Sequence, residues 1–200
     1  ITQGVQFSSV SKGETLADTI RTLEQYADVI VLRHPDIGSA QVAADYANVP
    51  IINAGDGAGE HPTQALLDCY TIRTALNRGN SFDGLRIAIV GDIKHSRVAR
   101  SDIQAFTMLG AHVTLVAPKT LLPPSLDEFG ALTVTTDLDA IIGDLDVIYL
   151  LRMQHERMNE SLVPSLREYT TRFGLTPERA CRLPEHALIM HPGPMNRGVE

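Results

Sequence analysis

The 200-residue chain is poor in cysteine, has no long apolar run and carries no excess of positive charge. Its two cysteines, Cys69 and Cys181, lie far apart and in no Cys-x-x-Cys spacing, which favours free thiols in a reducing cytosol. No apolar stretch reaches the roughly 18 residues that a membrane span needs, and no charged-then-apolar leader opens the chain. These absences favour a cytoplasmic protein.

The net charge of −7 argues against a nucleic-acid-binding surface, which would need a concentrated basic face. Apolar residues make up 44% and charged residues 20%, which is typical of a soluble protein with a hydrophobic core. Any anion that binds here must therefore be held by a local cluster of cations. The chain starts without a methionine and stops straight after a turn-rich stretch, so it reads as a segment of a longer protein.

Common nucleotide and metal motifs are missing. The stretch IVGDIKHS (89–96) lacks the Gly-x-Gly-x-x-Gly pattern of dinucleotide-binding folds, and bulky side chains occupy the space that a pyrophosphate would need. GDGAGEHP (55–62) is not followed by the Gly-Lys-Ser/Thr of a P-loop. The seven histidines show no metal-ligand spacing. We therefore expect neither a cofactor nor a metal.

Short apolar strands alternate with helices along the whole chain. Strands are predicted over 28–34, 49–55, 85–92, 111–118, 147–152 and 187–194, and helices over 14–27, 37–47, 62–78 and 96–109, with a short strand and helix over 133–144 and helical pieces between 161 and 183. This alternation predicts an α/β fold with two doubly wound parallel-sheet domains joined by a long helix. The polar stretch NRGNSFDG (77–84) is the predicted linker, which gives domains over 1–78 and 82–200.

Doubly wound sheets bind ligands beyond the carboxyl ends of their strands. Cationic and amide side chains follow four of the five strand ends that we compared, in a chain that is acidic overall. Each has an ordinary explanation: a solvated surface arginine, a neighbour of a helix cap, or a rigid turn. Their coincidence at one edge of each sheet favours a binding site, and the residues concerned are Arg33, His34, Pro35, His61, Gln64, Asp92, Lys94, His95, Arg97, Arg152, Gln154 and 191–194.

Such a set of side chains suits the neutralisation and polarisation of a small polyanion. Arginine forks match the oxygens of carboxylate and phosphate groups. His61, before the predicted helix at 62–78, can hold a carbonyl oxygen as charge develops on it, helped by the helix dipole. Gln64 offers both a donor and an acceptor to an amide-like group.

Six segments of the chain resemble the transcarbamoylase family, in the family's order and at similar spacing along nearly the whole chain. KGET and HPTQ indicate the superfamily, and the full set indicates its aspartate-specific branch. The segments are SSVSKGETLADT (8–19), VLRHP (31–35), NAGDGAGEHPTQALLD (53–68), IAIVGDIKHSRVARS (87–101), LLRMQHER (150–157) and HPGPMNRGVE (191–200).

The resemblance implies transfer of a carbamoyl group from carbamoyl phosphate to the α-amino group of L-aspartate, an early step of pyrimidine biosynthesis. No cofactor is implied. In this family Arg33 would span the carbonyl and phosphate oxygens of carbamoyl phosphate, His61 would contact its carbonyl oxygen, and Gln64 its amino group. No covalent intermediate is needed, because orientation alone can supply roughly 7–11 kcal/mol of the barrier.

The remaining roles are also those that the resemblance implies. Arg97, Arg152 and Gln154 would grip the two carboxylates of aspartate, and the turn at 193–194 (Gly193 and Pro194) would shape the pocket. Ser8 and Lys12 would enter the site of a neighbouring subunit in a homotrimer. Whether regulatory chains or other pathway enzymes join that trimer is left open by the sequence.

Three alternatives remain at this stage. Ornithine carbamoyltransferases share HPTQ, but they have an SMG segment and an HCLP turn where this chain has LLRMQ and HPGP. A catalytically inactive structural subunit is the second alternative and an anion-binding regulatory module the third. The chain lacks the family's Ser-Thr-Arg-Thr phosphate-binding segment and its closing helices, so we expect both domains to be incomplete and these 200 residues alone to be weakly active or inactive.

Overall fold

The computed structural model describes residues 9–130, 132–153 and 165–200. Contacts divide the chain into two compact units, Ile1–Thr63 and Gln64–Glu200. Both are built from parallel strands and helices, which confirms the predicted α/β class.

The first unit contains a two-stranded parallel sheet flanked by two helices. Its elements are α1 (Leu16–Leu23), β1 (Ile30–His34), α2 (Ser39–Tyr46) and β2 (Ile51–Asp56). Helix α1 begins where the Thr15 side chain accepts a hydrogen bond from the Asp18 backbone N–H. The buried core of this unit is small, since it consists of Ile20, Ile30 and Ala43 with partly buried neighbours packed around them.

The second unit is a five-stranded parallel sheet with helices between its strands. Its elements are α3 (Pro62–Ala75, whose first two residues lie in the first unit), β3 (Arg86–Val90), α4 (Arg97–Met108), β4 (His112–Val116), β5 (Thr133–Thr135), β6 (Val147–Leu150), α5 (Leu166–Phe173), α6 (Pro177–Ala180) and β7 (Leu188–Met190). The strand order is β5-β4-β3-β6-β7. The chain therefore winds outward from β3 to β5 and then crosses back to β6, which places the topological switch point between β3 and β6.

The central strands of this sheet are buried on both faces. Every residue of β6 is buried, as are the last four of β3, because helices cover both sides of the sheet. Phe82 and Phe106 form an aromatic row with Tyr149 of β6, with ring centroids 6.3 Å apart for Phe82 and Phe106 and 6.5 Å apart for Phe106 and Tyr149. Helix α3 joins the same core through the fully buried Ile72.

The structure differs from the sequence prediction at two helices. The helix expected within 133–144 is only a 3-10 turn (Ile142–Asp144), because the backbone becomes extended at Leu145 to enter β6. Helix α3 ends before residue 78, since Asn77 adopts a positive φ of 50°. The contacts group most of α3, from Gln64 onward, with the second unit.

Helix lengths also bear on membrane insertion. Within residues 9–130, 132–153 and 165–200, the longest helix is α3, with 14 residues. Across the described part of the chain, no helix is both long and apolar enough to cross a membrane.

Candidate active site

The carboxyl ends of β1 and β2 lie side by side in the first unit. The two strands are parallel, and His34 is paired with Asp56 at their ends. The Gly57 N–H donates a hydrogen bond of 2.8 Å to the His34 carbonyl, which joins the loop after β2 to the end of β1. Arg33 is exposed in the next-to-last position of β1. The predicted Arg33 and the loop that leads to His61 therefore share one edge of this sheet.

A buried carboxylate organises that loop. Asp56 accepts hydrogen bonds from the backbone N–H groups of Gly38 (2.8 Å) and Glu60 (2.7 Å) and from the Asn53 side-chain amide (3.3 Å). Burial by itself would raise the pKa of Asp56, but these donors favour the charged form, and the net result is a lowered pKa. An ionised Asp56 thus ties three chain segments together.

Two glycines let the loop fold this tightly. Gly57 has a φ of +53°, and a Cβ atom on it would lie 2.4 Å from the Pro35 carbonyl oxygen. A Cβ on Gly59 would lie 2.9 Å from an oxygen of the Asp56 carboxylate. The glycines are therefore required by close backbone contacts inside the loop.

His61 lies immediately before Pro62, the first residue of α3. It is half-buried, and its Nδ1 atom lies 3.2 Å from the Thr63 hydroxyl oxygen, within hydrogen-bond distance. The proline is tolerated because the first helical residue needs no N–H partner. His61 therefore sits at the positive end of the α3 dipole, where a developing negative charge is stabilised.

Lys12 and Gln64 differ in how far their side chains are exposed to solvent. Lys12 is exposed and ends a 3-10 turn (Ser9–Lys12) that has no buried residue. Gln64 is half-buried in the first turn of α3, and its Nε2 atom donates to both carboxylate oxygens of Asp68, at 3.1 Å each. The amide nitrogen of Gln64 is thus held inward.

In the second unit, the end of β3 leads into the first turn of α4. Asp92 is fully buried. Its carboxylate accepts a hydrogen bond from the His95 backbone N–H (3.3 Å) and lies 2.8 Å from His95 Nδ1. The Ser96 side chain caps α4 by accepting a hydrogen bond from the Ala99 N–H. Arg97 follows as the first residue of α4, with only 8% of its surface exposed.

The end of β6 carries Arg152 and is tied to the C-terminal turn. The Glu200 carboxylate accepts hydrogen bonds from the backbone N–H groups of Met153 (3.0 Å) and Asn196 (2.7 Å). The Asn196 side-chain amide donates to the same carboxylate at 2.8 Å and to the Met153 carbonyl at 3.3 Å. Arg152, half-buried, lies next to Met153 in the chain and so at the edge to which this network is tied.

The turn after β7 lies at that same edge. The Gly193 N–H donates to His191 Nδ1 at 2.8 Å, Gly193 has a φ of +64°, and the Gly193–Pro194 peptide bond is cis. Burial lowers the pKa of His191; the Glu200 charge opposes this effect and the Arg152 charge reinforces it. His191 therefore stays neutral at pH 7, with Nδ1 as an acceptor for the turn.

The predicted residues thus divide between the two units. Lys12, Arg33 and His61 belong to the first unit, and Gln64, Arg97, Arg152, Gly193 and Pro194 to the second. The predictions for Ser8 and Gln154 lie outside the described residues. Among described residues, no group of three or more His, Cys, Asp or Glu side chains could hold a metal ion.

Sequence reasoning missed the acidic residues that support these side chains. They are Asp56, Asp68, Asp102 and Glu200. Asp68 could have been found, because glutamine and aspartate four residues apart on a helix form a known hydrogen-bonded pair. The other three act across long stretches of sequence or within an irregular loop, where no spacing rule applies.

Two family models match the chain. Residues 1–74 match the aspartate/ornithine carbamoyltransferase, carbamoyl-P binding domain, and residues 83–200 match the aspartate/ornithine carbamoyltransferase, Asp/Orn binding domain. The catalytic subunit of aspartate carbamoyltransferase from Thermobifida fusca is 55% identical over 194 residues, which cover 96% of this chain and 61% of that relative.

Solved structures agree with this assignment. Aspartate transcarbamoylase from Trypanosoma cruzi in complex with N-(phosphonacetyl)-L-aspartic acid gives a TM-score of 0.88 at 36% identity, covering all of this chain and 65% of that one. The same enzyme in complex with carbamoyl phosphate and aspartate gives 0.86 at 36% identity, with 100% and 66% covered. This chain therefore spans less than two thirds of the length of these relatives. It belongs to the aspartate/ornithine carbamoyltransferase family.

Proposed function

We propose that the protein is the catalytic chain of an aspartate carbamoyltransferase, which transfers the carbamoyl group of carbamoyl phosphate to the α-amino group of L-aspartate. The products are N-carbamoyl-L-aspartate and phosphate, so the reaction belongs to pyrimidine biosynthesis. The observation that carries the proposal is the placement of Arg97 and Arg152 after β3 and β6, at the switch point of the larger sheet. Two arginine cations there would attract the two carboxylates of aspartate and repel the ammonium groups of a diamine such as ornithine.

The carbamoyl phosphate roles rest on the end of β1 and the start of α3. Arg33 would bind carbonyl and phosphate oxygens, and His61 would stabilise the carbonyl oxygen as the carbon becomes tetrahedral. Gln64 would accept a hydrogen bond from the carbamoyl amino group through Oε1, since its Nε2 atom is bound to Asp68. The Trypanosoma cruzi enzyme in complex with carbamoyl phosphate and aspartate supports this choice of substrates.

We place the domain boundary in the linker between 78 and 82. The family models support it, because one ends at residue 74 and the other begins at 83. The protein would work in the cytoplasm as a homotrimer, with Ser8 and Lys12 reaching a neighbouring subunit's site. The exposed 3-10 turn that carries Lys12 and the two free cysteines are consistent with that assignment.

The test is an assay of the full-length natural protein with carbamoyl phosphate and either aspartate or ornithine. We expect N-carbamoyl-L-aspartate to form and no citrulline. Arg152→Ala should raise the KM for aspartate by roughly 10- to 150-fold, the effect of losing one charge-assisted hydrogen bond of about 1.5–3 kcal/mol. His61→Ala should lower kcat by roughly 100- to 1000-fold, as the loss of an oxyanion donor does.

Matched controls come from the opposite edge of the sheet. Arg86 is the first residue of β3 and His112 the first of β4, and both are exposed. Arg86→Ala and His112→Ala should leave the KM for aspartate and kcat close to wild type. If the controls and the site variants behaved alike, or if only ornithine reacted, the proposal would be wrong.

A further inference from the structure

A cluster of four polar side chains lies inside the second unit, where its helices α3 and α4 pack on β6. Gln64 and Asp68 come from α3, Asp102 from α4 and Tyr149 from β6. Asp68 is 3% exposed, and Asp102 and Tyr149 are fully buried. Two acidic side chains in an apolar core are costly to keep, so their arrangement calls for an explanation.

Asp68 is the centre of the cluster. It accepts hydrogen bonds from Gln64 Nε2 on one side, and on the other from the Tyr149 hydroxyl, at 2.7 Å. Neither carboxylate oxygen of Asp102 meets a hydrogen-bond donor among the described residues. The Tyr149 hydroxyl is the group that offsets charge on Asp102, but it donates to Asp68, and the charges of an ionised Asp102 and Asp68 would repel each other.

Such a pair retains one proton at neutral pH, because two buried carboxylates cannot both ionise. Burial, and then the charge of Asp68, hold the pKa of Asp102 well above its usual range, and burial raises the pKa of Asp68 as well. The titratable groups that face the pair stay neutral too. Burial raises the pKa of the Tyr149 hydroxyl, and it raises the pKa of the Cys69 thiol to about 11.

We propose that Asp68 and Asp102 share one proton and together position Gln64, holding its Nε2 atom inward so that Oε1 faces the bound ligand. This inference rests on the proposed function, in which Gln64 accepts a hydrogen bond from the carbamoyl amino group. Without the Asp68 carboxylate, the Gln64 side-chain amide can rotate. In half of its orientations it presents its own N–H groups to the N–H groups of the carbamoyl phosphate. The resulting loss of order should weaken carbamoyl phosphate binding by roughly 3- to 30-fold.

Steady-state kinetics of the full-length protein test the positioning. Asp68→Asn leaves one acceptor oxygen, which the Tyr149 hydroxyl occupies, and turns an N–H group toward Gln64 Nε2. It should therefore raise the KM for carbamoyl phosphate by that factor and leave the KM for aspartate unchanged. When Gln64→Ala is already present, adding Asp68→Asn should cause no further increase, because the two residues act as one unit. Additive effects, or an equal increase for both substrates, would show that Asp68 supports only the fold.

Helix α2 offers a matched control. There Gln41 Nε2 donates to Asp45 at 2.9 Å, the same spacing on an exposed helix face. Asp45→Asn removes an equivalent carboxylate that is not buried, and it should leave the KM for carbamoyl phosphate at the wild-type value. A rise equal to that of Asp68→Asn would contradict the inference.

The shared proton has two readouts that do not depend on catalysis. At neutral pH the wild type should show the infrared band of a protonated carboxylic acid, and Asp102→Asn should lack it. Unfolded Asp loses its proton near pH 4 whereas the folded pair keeps it, so the pair's contribution to wild-type stability falls as pH rises above 4, by up to tenfold in the unfolding constant per pH unit. Asp102→Asn cannot titrate and should gain stability relative to the wild type through that window.

The outcomes separate the two proposals. If the wild type fails to transfer carbamoyl groups, the proposed function fails, while the infrared band and the pH dependence still decide whether the pair shares a proton. If the wild type is active and Gln64→Ala weakens carbamoyl phosphate binding but Asp68→Asn does not, the positioning role is wrong. Parallel stability curves for the wild type and Asp102→Asn would overturn the shared proton.

Discussion

Gly57 shows how a single residue controls the loop before His61. Its positive φ and its contact with the Pro35 carbonyl leave no room for a side chain. Gly57→Ala should therefore lower the free energy of unfolding by about 1–3 kcal/mol and raise the KM for carbamoyl phosphate, since the loop must shift. Urea unfolding followed by circular dichroism measures the first effect, and steady-state kinetics the second.

Two other glycines distinguish the two causes of the stability loss in Gly57→Ala, which are the positive φ and the contact with Pro35. Gly84 has a φ of +78° and Gly79 does not have a left-handed φ, and a Cβ on either would meet no atom within 4 Å. Gly84→Ala should therefore show the cost of backbone strain alone, and Gly79→Ala should be close to neutral. If Gly57→Ala were no worse than Gly84→Ala, the contact with Pro35 would not matter.

The lowered pKa of Asp56 makes the stability of the protein depend on pH. Because its pKa is lowered on folding, its contribution is present above the unfolded pKa and is lost as the pH falls through the folded value. Asp56→Asn should therefore destabilise the protein at neutral pH, where an amide N–H group would face the N–H groups of Gly38 and Glu60. Unfolding curves from pH 7 down to pH 2 should show the gap between wild type and variant closing below about pH 4. A gap that stayed constant from pH 4 down to pH 2 would rule out the charge as its cause.

Residues at strand ends are easier to predict from the sequence than the acidic residues that pack behind them. Arg33, His61 and Arg97 follow from one rule, that parallel sheets bind ligands beyond their carboxyl ends. Asp102 could not be found in this way, because in sequence it is simply a polar residue on a helix. Its importance comes from packing against Asp68, and that contact exists only in the folded chain.

At the scale of elements, strands were predicted well because the central strands of the larger sheet, β3 and β6, are buried on both faces and form short apolar runs. Helices were predicted less well where the next strand begins too soon for a helix to form. In the stretch 137–144, Leu138 and Ile142 are buried four residues apart and mimic a helical stripe. The Asp137 side chain caps the first turn, but the backbone becomes extended at Leu145 to enter β6, so only a 3-10 turn forms.

The link between β6 and the C-terminal turn is the element-scale feature that most affects the proposed aspartate site. The Asn196 side chain joins Glu200 to the Met153 carbonyl, next to Arg152. Asn196→Ala removes both bonds, so the turn and Arg152 should lose their fixed arrangement. We expect the KM for aspartate to rise by about 5- to 15-fold, the effect of a net loss of roughly 1–1.5 kcal/mol, with the KM for carbamoyl phosphate unchanged.

An exposed asparagine in the linker serves as the control for that prediction. Asn80 is exposed, and Asn80→Ala should leave both KM values near wild type. An unchanged KM for aspartate in Asn196→Ala would mean that Arg152 is positioned without help from the turn.

At the scale of the whole molecule, the two units have very different cores. The larger sheet is packed with fully buried side chains such as Ile87, Ile103 and Tyr149. The first unit depends on Ile20, Ile30 and Ala43, around a sheet of two strands. Two-stranded sheets are marginally stable by themselves, so the free energy of local unfolding should differ between the units.

Hydrogen exchange of the 200-residue chain should reveal that difference. We expect the amides of β1 and β2 to exchange well before those of β3 and β6. Ile20→Ala, which costs about 2–5 kcal/mol as a core truncation, should abolish protection in β1 and β2 alone, because that loss exceeds what three buried residues can offset. Ile103→Ala, a truncation of equal size in the larger core, should reduce protection in β3 and β6. If Ile20→Ala instead lowered protection in all four strands by the same factor, the two units would unfold as one, and the small core would be stabilised by the large one.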